Sequence, residues 1–222
     1  MDSTQRAGVV VAGGRSTRFG DVDKAVADLA GTPMARRVAD RLARVVDSVV
    51  VNCRADQRAA LSGAMADADY PVRFAVDPDE DRGPMAGIMT GLRAVAGEYA
   101  VVVACDMPFV DPEFLAYLFD RIEGQAGPPA DQGRQYDAAV PRPDEWYQPT
   151  QAAYRADAMA DACEAALDRG DSKILAPLDD LDWVVVDAAE VEAHAATDTF
   201  DNVNTREEFD RAIERIQTDS PG

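Results

Sequence analysis

The sequence predicts an α/β fold built on a mainly parallel sheet, and three observations carry that expectation. Short valine-rich runs alternate with helical stretches over the first 123 residues, the pattern of strand–helix–strand units joined by right-handed crossovers. Several of those runs stop at a glycine pair or a short polar residue, namely Gly13-Gly14, Asn52, Asp77 and Asp106. The carboxyl ends of parallel strands are where such sheets hold ligands. The 222 residues are 47% hydrophobic, enough for one sizeable core, and they contain no internal repeat and no linker.

Charge narrows the function classes. The net charge is −19, so nucleic-acid recognition through a basic face is not expected. Only Lys24 and Lys173 are lysines, and the other twenty basic residues are arginines. An acidic, lysine-poor surface resembles that of proteins from salt-loving organisms, where screening over ~3 Å at 1 M salt removes self-repulsion. On that reading most carboxylates solvate the surface, and an acid at a strand end is the better candidate for chemistry. Cys53, Cys105 and Cys163 are too scattered for a disulfide framework or a zinc site and read as core residues. No apolar run approaches the ~20 residues that span a bilayer. The N-terminus leads straight into the first strand without a signal peptide, so a cytoplasmic protein is expected.

The first strand, Val9-Val10-Val11, runs into Ala12-Gly13-Gly14 and then into Arg15, Arg18 and Lys24, set against Asp21 and Asp23. Without Cβ atoms the two glycines let the backbone approach a ligand and aim N–H groups at it. Cations in a very acidic chain point to an anion, and a nucleoside triphosphate is the expected guest; a plain connecting turn is the alternative. A Walker loop is excluded because Lys24 is followed by Ala25 with no glycine before it, and the dinucleotide fingerprint is excluded by the spacing to Gly20.

Thr32-Pro33 reads as a helix start, with threonine as cap, proline in the first turn, and Met34, Val38, Leu42 and Val45 at helical spacing. Residues 48–52 are the second strand, and Asn52 at its end fits either a ligand contact or a cap. Alanine-rich residues 55–68 read as a helix and residues 72–76 as a third strand ending at Asp77. Gly83-Pro84 then opens a helix carrying Ile88, Met89, Leu92 and Val95, whose N-terminus is a second place for an anion. Residues 99–105 form the longest apolar strand, expected at the centre of the sheet. It ends in Asp106-Met107-Pro108, where Asp106 fits a magnesium ligand shared with substrate phosphates or a turn-forming acid.

Asp111-Pro112-Glu113 caps a helix through residue 122. A Gly- and Pro-rich loop spans 124–135, followed by strands at 136–140 and 150–154 around a loop with Trp146 and Tyr147. A helix at 156–167, a turn at 170–178, a strand at 183–186 and a closing helix at 206–216 complete the chain. His194, the only histidine, reads as a surface residue. In Asn202-Val203-Asn204 both amides would share one side if the segment is extended.

Taken together, Ala12-Gly13-Gly14, Arg18-Phe19-Gly20, Asp23-Lys24, Gly83-Pro84-Met85-Ala86-Gly87, Asp106-Met107-Pro108 and Asn202-Val203-Asn204-Thr205 resemble the molybdenum cofactor guanylyltransferases. The resemblance covers nearly the whole chain and implies a three-layer α/β/α Rossmann-like nucleotidyltransferase. It implies GMP transfer from GTP to the terminal phosphate of molybdopterin, or of its molybdenum-loaded form, with Mg²⁺ as cofactor. Carried over by position, it implies GTP contacts at Val11, Ala12, Gly13, Gly14, Lys24, Asn52, Asp77 and Asp106, the metal at Asp106, and Asn202 and Asn204 near the molybdopterin. Lys24, Arg15, Arg18 and Asp106 would do the charge work of catalysis. Read as one domain over 1–222, the chain has a nucleotide half (1–123), an acceptor half (124–217) and a short tail. Molybdoenzymes or cofactor-delivery proteins are further expected partners; nucleic acid and membrane are not. Met85 stands where the family usually has leucine, and Arg206 where proline is common. Close alternatives are cytidylyl transfer to molybdopterin, guanylyl transfer to a cobinamide phosphate, or a nucleotide-binding module without catalysis.

Overall fold

A computed structural model describes residues 5–14, 23–79 and 82–219. It opens with β1 (Arg6–Val11), whose alternating side chains serve both faces of the sheet: Val9 packs into one core and Val10 into the other. A short hairpin follows, β2 (Asp28–Leu29) and β3 (Thr32–Pro33), turned by Ala30 and Gly31 at φ 53° and 84°. Left-handed backbone at both turn positions is the geometry of a two-residue hairpin. This corrects the expected helix start. Thr32 pairs with Leu29, and α1 (Met34–Leu42) begins only after Pro33, with no side-chain cap.

β4 (Ser48–Cys53) leads to α2 (Arg58–Ala64), shorter than the expected 55–68. Its start is delayed because residues 54–57 close a turn, in which the Arg54 N–H donates to Gln57 Oε1 at 3.0 Å. β5 (Val72–Val76), α3 (Gly83–Arg93) and β6 (Tyr99–Ala104) follow as expected, with Pro84 in the first turn of α3. In α4 (Pro112–Ile122) the Asp111 carboxylate accepts from the Glu113 N–H. β7 (Ala138–Pro141), β8 (Gln151–Arg155), α5 (Ala156–Asp168), β9 (Trp183–Val186), α6 (Ala188–His194) and α7 (Arg206–Asp219) complete the order. The sequence reading has no α6, although the spacing of Asp187 and Glu190 announces it. Those two residues form a capping box, each side chain bonded to the other's backbone.

The main sheet has seven strands in the order β5-β4-β1-β6-β8-β7-β9, so β6 is central as expected. β5, β4, β1 and β6 pair in parallel, β8 runs antiparallel to both β6 and β7, and β9 is parallel to β7. Helices α1, α2 and α4 cover one face through Val38, Leu42, Leu61, Phe114 and Leu118. α3 and α5 cover the other through Ile88, Leu92, Met159 and Cys163. A third apolar cluster joins the hairpin to the C-terminal helix through Leu29, Met34, Phe109, Val203 and Phe209. No helix among the described residues is long and apolar enough to cross a membrane.

The loop at 124–135 is tied down from beneath. Arg121, 1% exposed, pairs with Asp131 at 3.2 Å and Glu190 at 2.7 Å, linking that loop and α6 to α4. Gly127 at φ 104° lies over the guanidinium, and a Cβ there would stand 2.3 Å from Arg121 Nη1.

Candidate active site

The chain runs from β1 outward to β4 and β5, then crosses back to β6 on the other side of β1. That reversal opens a crevice at the carboxyl ends of the strands, the usual ligand position in this architecture. Here it is a cleft of about 560 Å³. Val11, Ala12, Gly13 and Gly14 line it from β1, Asn52 from β4, Asp77 from β5 and Asp106 from β6, with Lys24, Gly83, Gly87, Thr150 and Asn204 around them.

Lys24 sits in a single helical turn, Lys24–Val26, capped by the Asp23 carboxylate, and is 8% exposed. Its ammonium donates to Asp106 Oδ2 at 2.8 Å and to Asn204 Oδ1 at 3.0 Å. The other oxygen, Asp106 Oδ1, is buried with no hydrogen-bond partner among the described residues. Asp106 is also pinned through its backbone, because its carbonyl accepts the Val203 N–H at 2.8 Å. The segment carrying Asn204 is fixed in turn by Glu208, which accepts from the N–H groups of Asn204 and Thr205. Those two donors hold the Glu208 carboxyl below its ordinary value.

Asn52 is fully buried, and its Nδ2 donates to Asp77 Oδ1 at 2.7 Å and to the Ala75 carbonyl at 3.3 Å. Its Oδ1 has no partner among the described residues. The two neighbouring glycines leave room for this amide: a Cβ on Gly87 would lie 2.6 Å from Asn52 Oδ1, and one on Gly13 would lie 2.8 Å from Asp77 Oδ2. The amino end of α3 thus approaches β1 and β4 only because Gly87 lacks a side chain.

Two residues outside the sequence reading shape the first loop. Arg54, 9% exposed, places Nη1 3.0 Å from the Gly13 carbonyl and 2.9 Å from that of Gly14. Gln57, 3% exposed, donates to the Ala12 carbonyl at 3.0 Å and to Asp23 Oδ2 at 2.6 Å. The signal was faint: a polar turn directly after Asn52 at the carboxyl end of a strand.

The family model for the MobA-like NTP transferase domain matches residues 8–182. The chain is 50% identical over 212 residues to a probable molybdenum cofactor guanylyltransferase of Natronomonas pharaonis, covering 96% of this chain and 98% of that one. It belongs to this family of nucleotidyltransferases. A second molybdenum cofactor guanylyltransferase, called probable, from Haloferax mediterranei is 41% identical over 91% of this chain and 90% of its own. Among solved structures, molybdopterin-guanine dinucleotide biosynthesis protein A from Archaeoglobus fulgidus matches with a TM-score of 0.73 at 28% identity, over 96% of this chain and all of that one.

Within this MobA-like domain the sequence-derived positions divide. Val11, Ala12, Gly13, Gly14, Lys24, Asn52, Asp77, Asp106 and Asn204 all line the cleft. Arg15 and Arg18 lie outside the described residues. Asn202 does not share the cleft with Asn204. The Asp201 N–H bonds back to Asp198 just before it, and Asn202 Nδ2 closes on the Phe200 carbonyl at 3.0 Å, whereas Asn204 Oδ1 faces Lys24. Asn202 lines a separate, smaller hollow beside Phe109 and Arg211. His194 is exposed and stacks on Tyr117, ring centres 3.8 Å apart, away from the cleft. The cysteines are core residues as expected. Burial pushes the thiols up to about 11 for Cys53 and about 12 for Cys105 and Cys163.

Proposed function

We infer that this protein transfers GMP from GTP to the terminal phosphate of molybdopterin or its molybdenum-loaded form, releasing pyrophosphate and giving the guanine dinucleotide cofactor. Family membership supports the reaction class. One observation carries the choice of nucleotide: two acceptors side by side in the cleft wall, Asn52 Oδ1, which has no partner among the described residues, and the Asp77 carboxylate, which keeps lone pairs beyond its bond from Asn52. Leaving a buried acceptor unpaired costs about 1–3 kcal/mol, a cost that a donor from a ligand removes. Guanine offers adjacent N–H donors at N1 and N2. Cytosine sets its N4 donor beside an acceptor at N3, and adenine its N6 donor beside an acceptor at N1, so either could satisfy only one of the two and would meet the other acceptor with acceptor. This favours GTP over CTP.

The rest of the cleft matches the charge of the reaction. The acceptor's phosphate monoester is mostly ionised at neutral pH, its second pKa being about 6, so attack on the α-phosphorus needs no protein base. One P–O bond forms to the acceptor as the α–β bridge breaks, and the electron pair leaves on pyrophosphate. The protein's part is to hold two anions in line and offset their charge. Lys24 at the cleft floor, the loop N–H groups and the amino end of α3 would do that. Arg15 and Arg18 are expected to join them.

Asp106 is the residue that would hold Mg²⁺. Its buried Oδ1 keeps a free lone pair beside the cleft, which suits a hard cation. Among the described residues there is no cluster of three or more metal-ligating side chains, so phosphate oxygens and water would complete the shell. When bound, the ion would neutralise charge on the triphosphate. A cytoplasmic enzyme working in concentrated salt is the setting that the charge of −19 and the near absence of lysine support. Molybdoenzymes or delivery proteins would receive the product.

The test is mass spectrometry of the products after incubation with molybdopterin, Mg²⁺ and each nucleoside triphosphate in turn. The expected product is the guanine dinucleotide. A cytosine dinucleotide formed at equal or greater rate would overturn the choice of base. Turnover of GTP only with a cobinamide phosphate would overturn the acceptor.

A further inference from the structure

We infer that Arg54 and Gln57 are positioning residues for the phosphate-holding loop, acting on its backbone carbonyls so that its N–H groups face the nucleotide. The inference rests on the nucleotide reading of the cleft. A trans peptide points its C=O and the next residue's N–H in opposite directions across one plane, and no described peptide is cis. Gln57 Nε2 holds the Ala12 carbonyl, which turns the Gly13 N–H the other way. Arg54 Nη1 holds the Gly13 carbonyl, which does the same for the Gly14 N–H. The two carbonyls are drawn back toward β4 and α2, and the two N–H groups are presented on the opposite side of the loop.

Such holding matters because the loop turns on a glycine pair. Glycine pairs range widely in φ and ψ, and among the described residues nothing lies within 4 Å of where a Gly14 Cβ would be. With the carbonyls free, the loop could present their negative ends to a triphosphate and repel it. Gln57 also ties this loop to the turn carrying Lys24, because one amide nitrogen donates both to Ala12 and to Asp23, whose other oxygen caps that turn. Its Oε1 is used as well, accepting from the Arg54 N–H. Arg54 is itself braced by Asp56, with Nε to Oδ1 at 3.0 Å and Nη2 to Oδ2 at 3.3 Å. A lysine keeps the charge but lacks the fork that reaches Asp56 while one nitrogen spans two carbonyls.

The experiment compares Gln57→Met and Arg54→Lys with wild type, both checked for folding by circular dichroism. Binding of Mg²⁺–GTP and of guanosine is measured by calorimetry and NMR titration. Guanosine has no phosphate, so it does not use the loop N–H groups. Each variant is expected to lose at least tenfold in GTP affinity while guanosine affinity stays within twofold. General loosening of the site would weaken both ligands alike and would overturn the inference. So would a folded variant that keeps the wild-type preference for GTP over guanosine within twofold; Arg54→Lys keeps this result accessible should Gln57→Met fail to fold. Wild-type protein that binds GTP no better than guanosine would overturn the nucleotide reading itself, and this inference with it.

Discussion

Replacing Lys24 by methionine keeps the reach of the side chain and removes its charge. The ammonium and Asp106 Oδ2 are 2.8 Å apart, with side-chain exposures of 10% and 19%. At an effective dielectric of 20 their attraction is about 6 kcal/mol, most of it offset by lost hydration. Removing one partner of a fully buried pair costs about 3–5 kcal/mol, and the residual exposure of Asp106 brings the expectation down to roughly 2–3 kcal/mol. For a chain of this size that is a fall in Tm of about 4–12 °C. Asp106→Asn should cost less, since the amide still accepts from Lys24, and the double variant Lys24→Met with Asp106→Asn should be more stable than the sum of the singles predicts. Thermal unfolding of the four proteins at one salt concentration tests this. Additive effects, with Lys24→Met within 1 °C of wild type, would refute the idea that the pair is coupled. In steady-state pyrophosphate release, loss of a charge-assisted phosphate contact of about 1.5–3 kcal/mol lowers kcat/KM for GTP roughly ten- to a hundredfold. Lys24→Arg should not restore it, because a planar fork does not fit the point between Asp106 and Asn204 that an ammonium occupies. A Lys24→Arg enzyme as active as wild type would show that the site needs only positive charge.

Other expectations follow from particular contacts. Gly87→Ala places a methyl 2.6 Å from Asn52 Oδ1, so it should displace that amide and raise the KM for GTP at least tenfold; an unchanged KM would remove Asn52 from base recognition. Dilution from high to low salt should unfold the protein reversibly as carboxylate repulsion is unscreened, and circular dichroism that stays constant would end the salt-adaptation reading. The same transition should be visible by alkylation at pH 8, since burial holds the Cys53 thiol at about 11 and the Cys105 and Cys163 thiols at about 12; labelling of the protein in high salt would contradict their burial. Glu208 has a lowered pKa, so its stabilisation of the Asn204 segment is present above the ordinary carboxylate range and is lost as pH falls through the lowered value. Hydrogen-exchange protection factors at the start of α7 should therefore fall in acid for wild type, and Glu208→Gln should remove that pH dependence.

The sequence by itself determined the parallel half of the sheet and the residues at its strand ends. Uninterrupted valine runs and helical runs of period three to four are local signals, and glycine, asparagine and aspartate at strand ends are legible wherever the strand stops. Lys24 stood out because the chain has only one other lysine. The tertiary structure alone decided which of these residues meet. Lys24 joins Asp106 and Asn204 across separations of 82 and 180 residues, and nothing local encodes contacts of that length. It also split Asn202 from Asn204, because the Asn202 amide turns to the Phe200 carbonyl while that of Asn204 accepts from Lys24. Arg54 and Gln57 leave only a faint trace in the sequence for a related reason. In sequence they are ordinary polar turn residues, and their role appears only when the turn after β4 is packed under the loop after β1, where their donors meet carbonyls about forty residues away. The hairpin at 28–33 shows the same limit on a small scale. Thr32-Pro33 has the chemistry of a helix start, but pairing of Thr32 with Leu29 through an Ala30-Gly31 turn satisfies the backbone first.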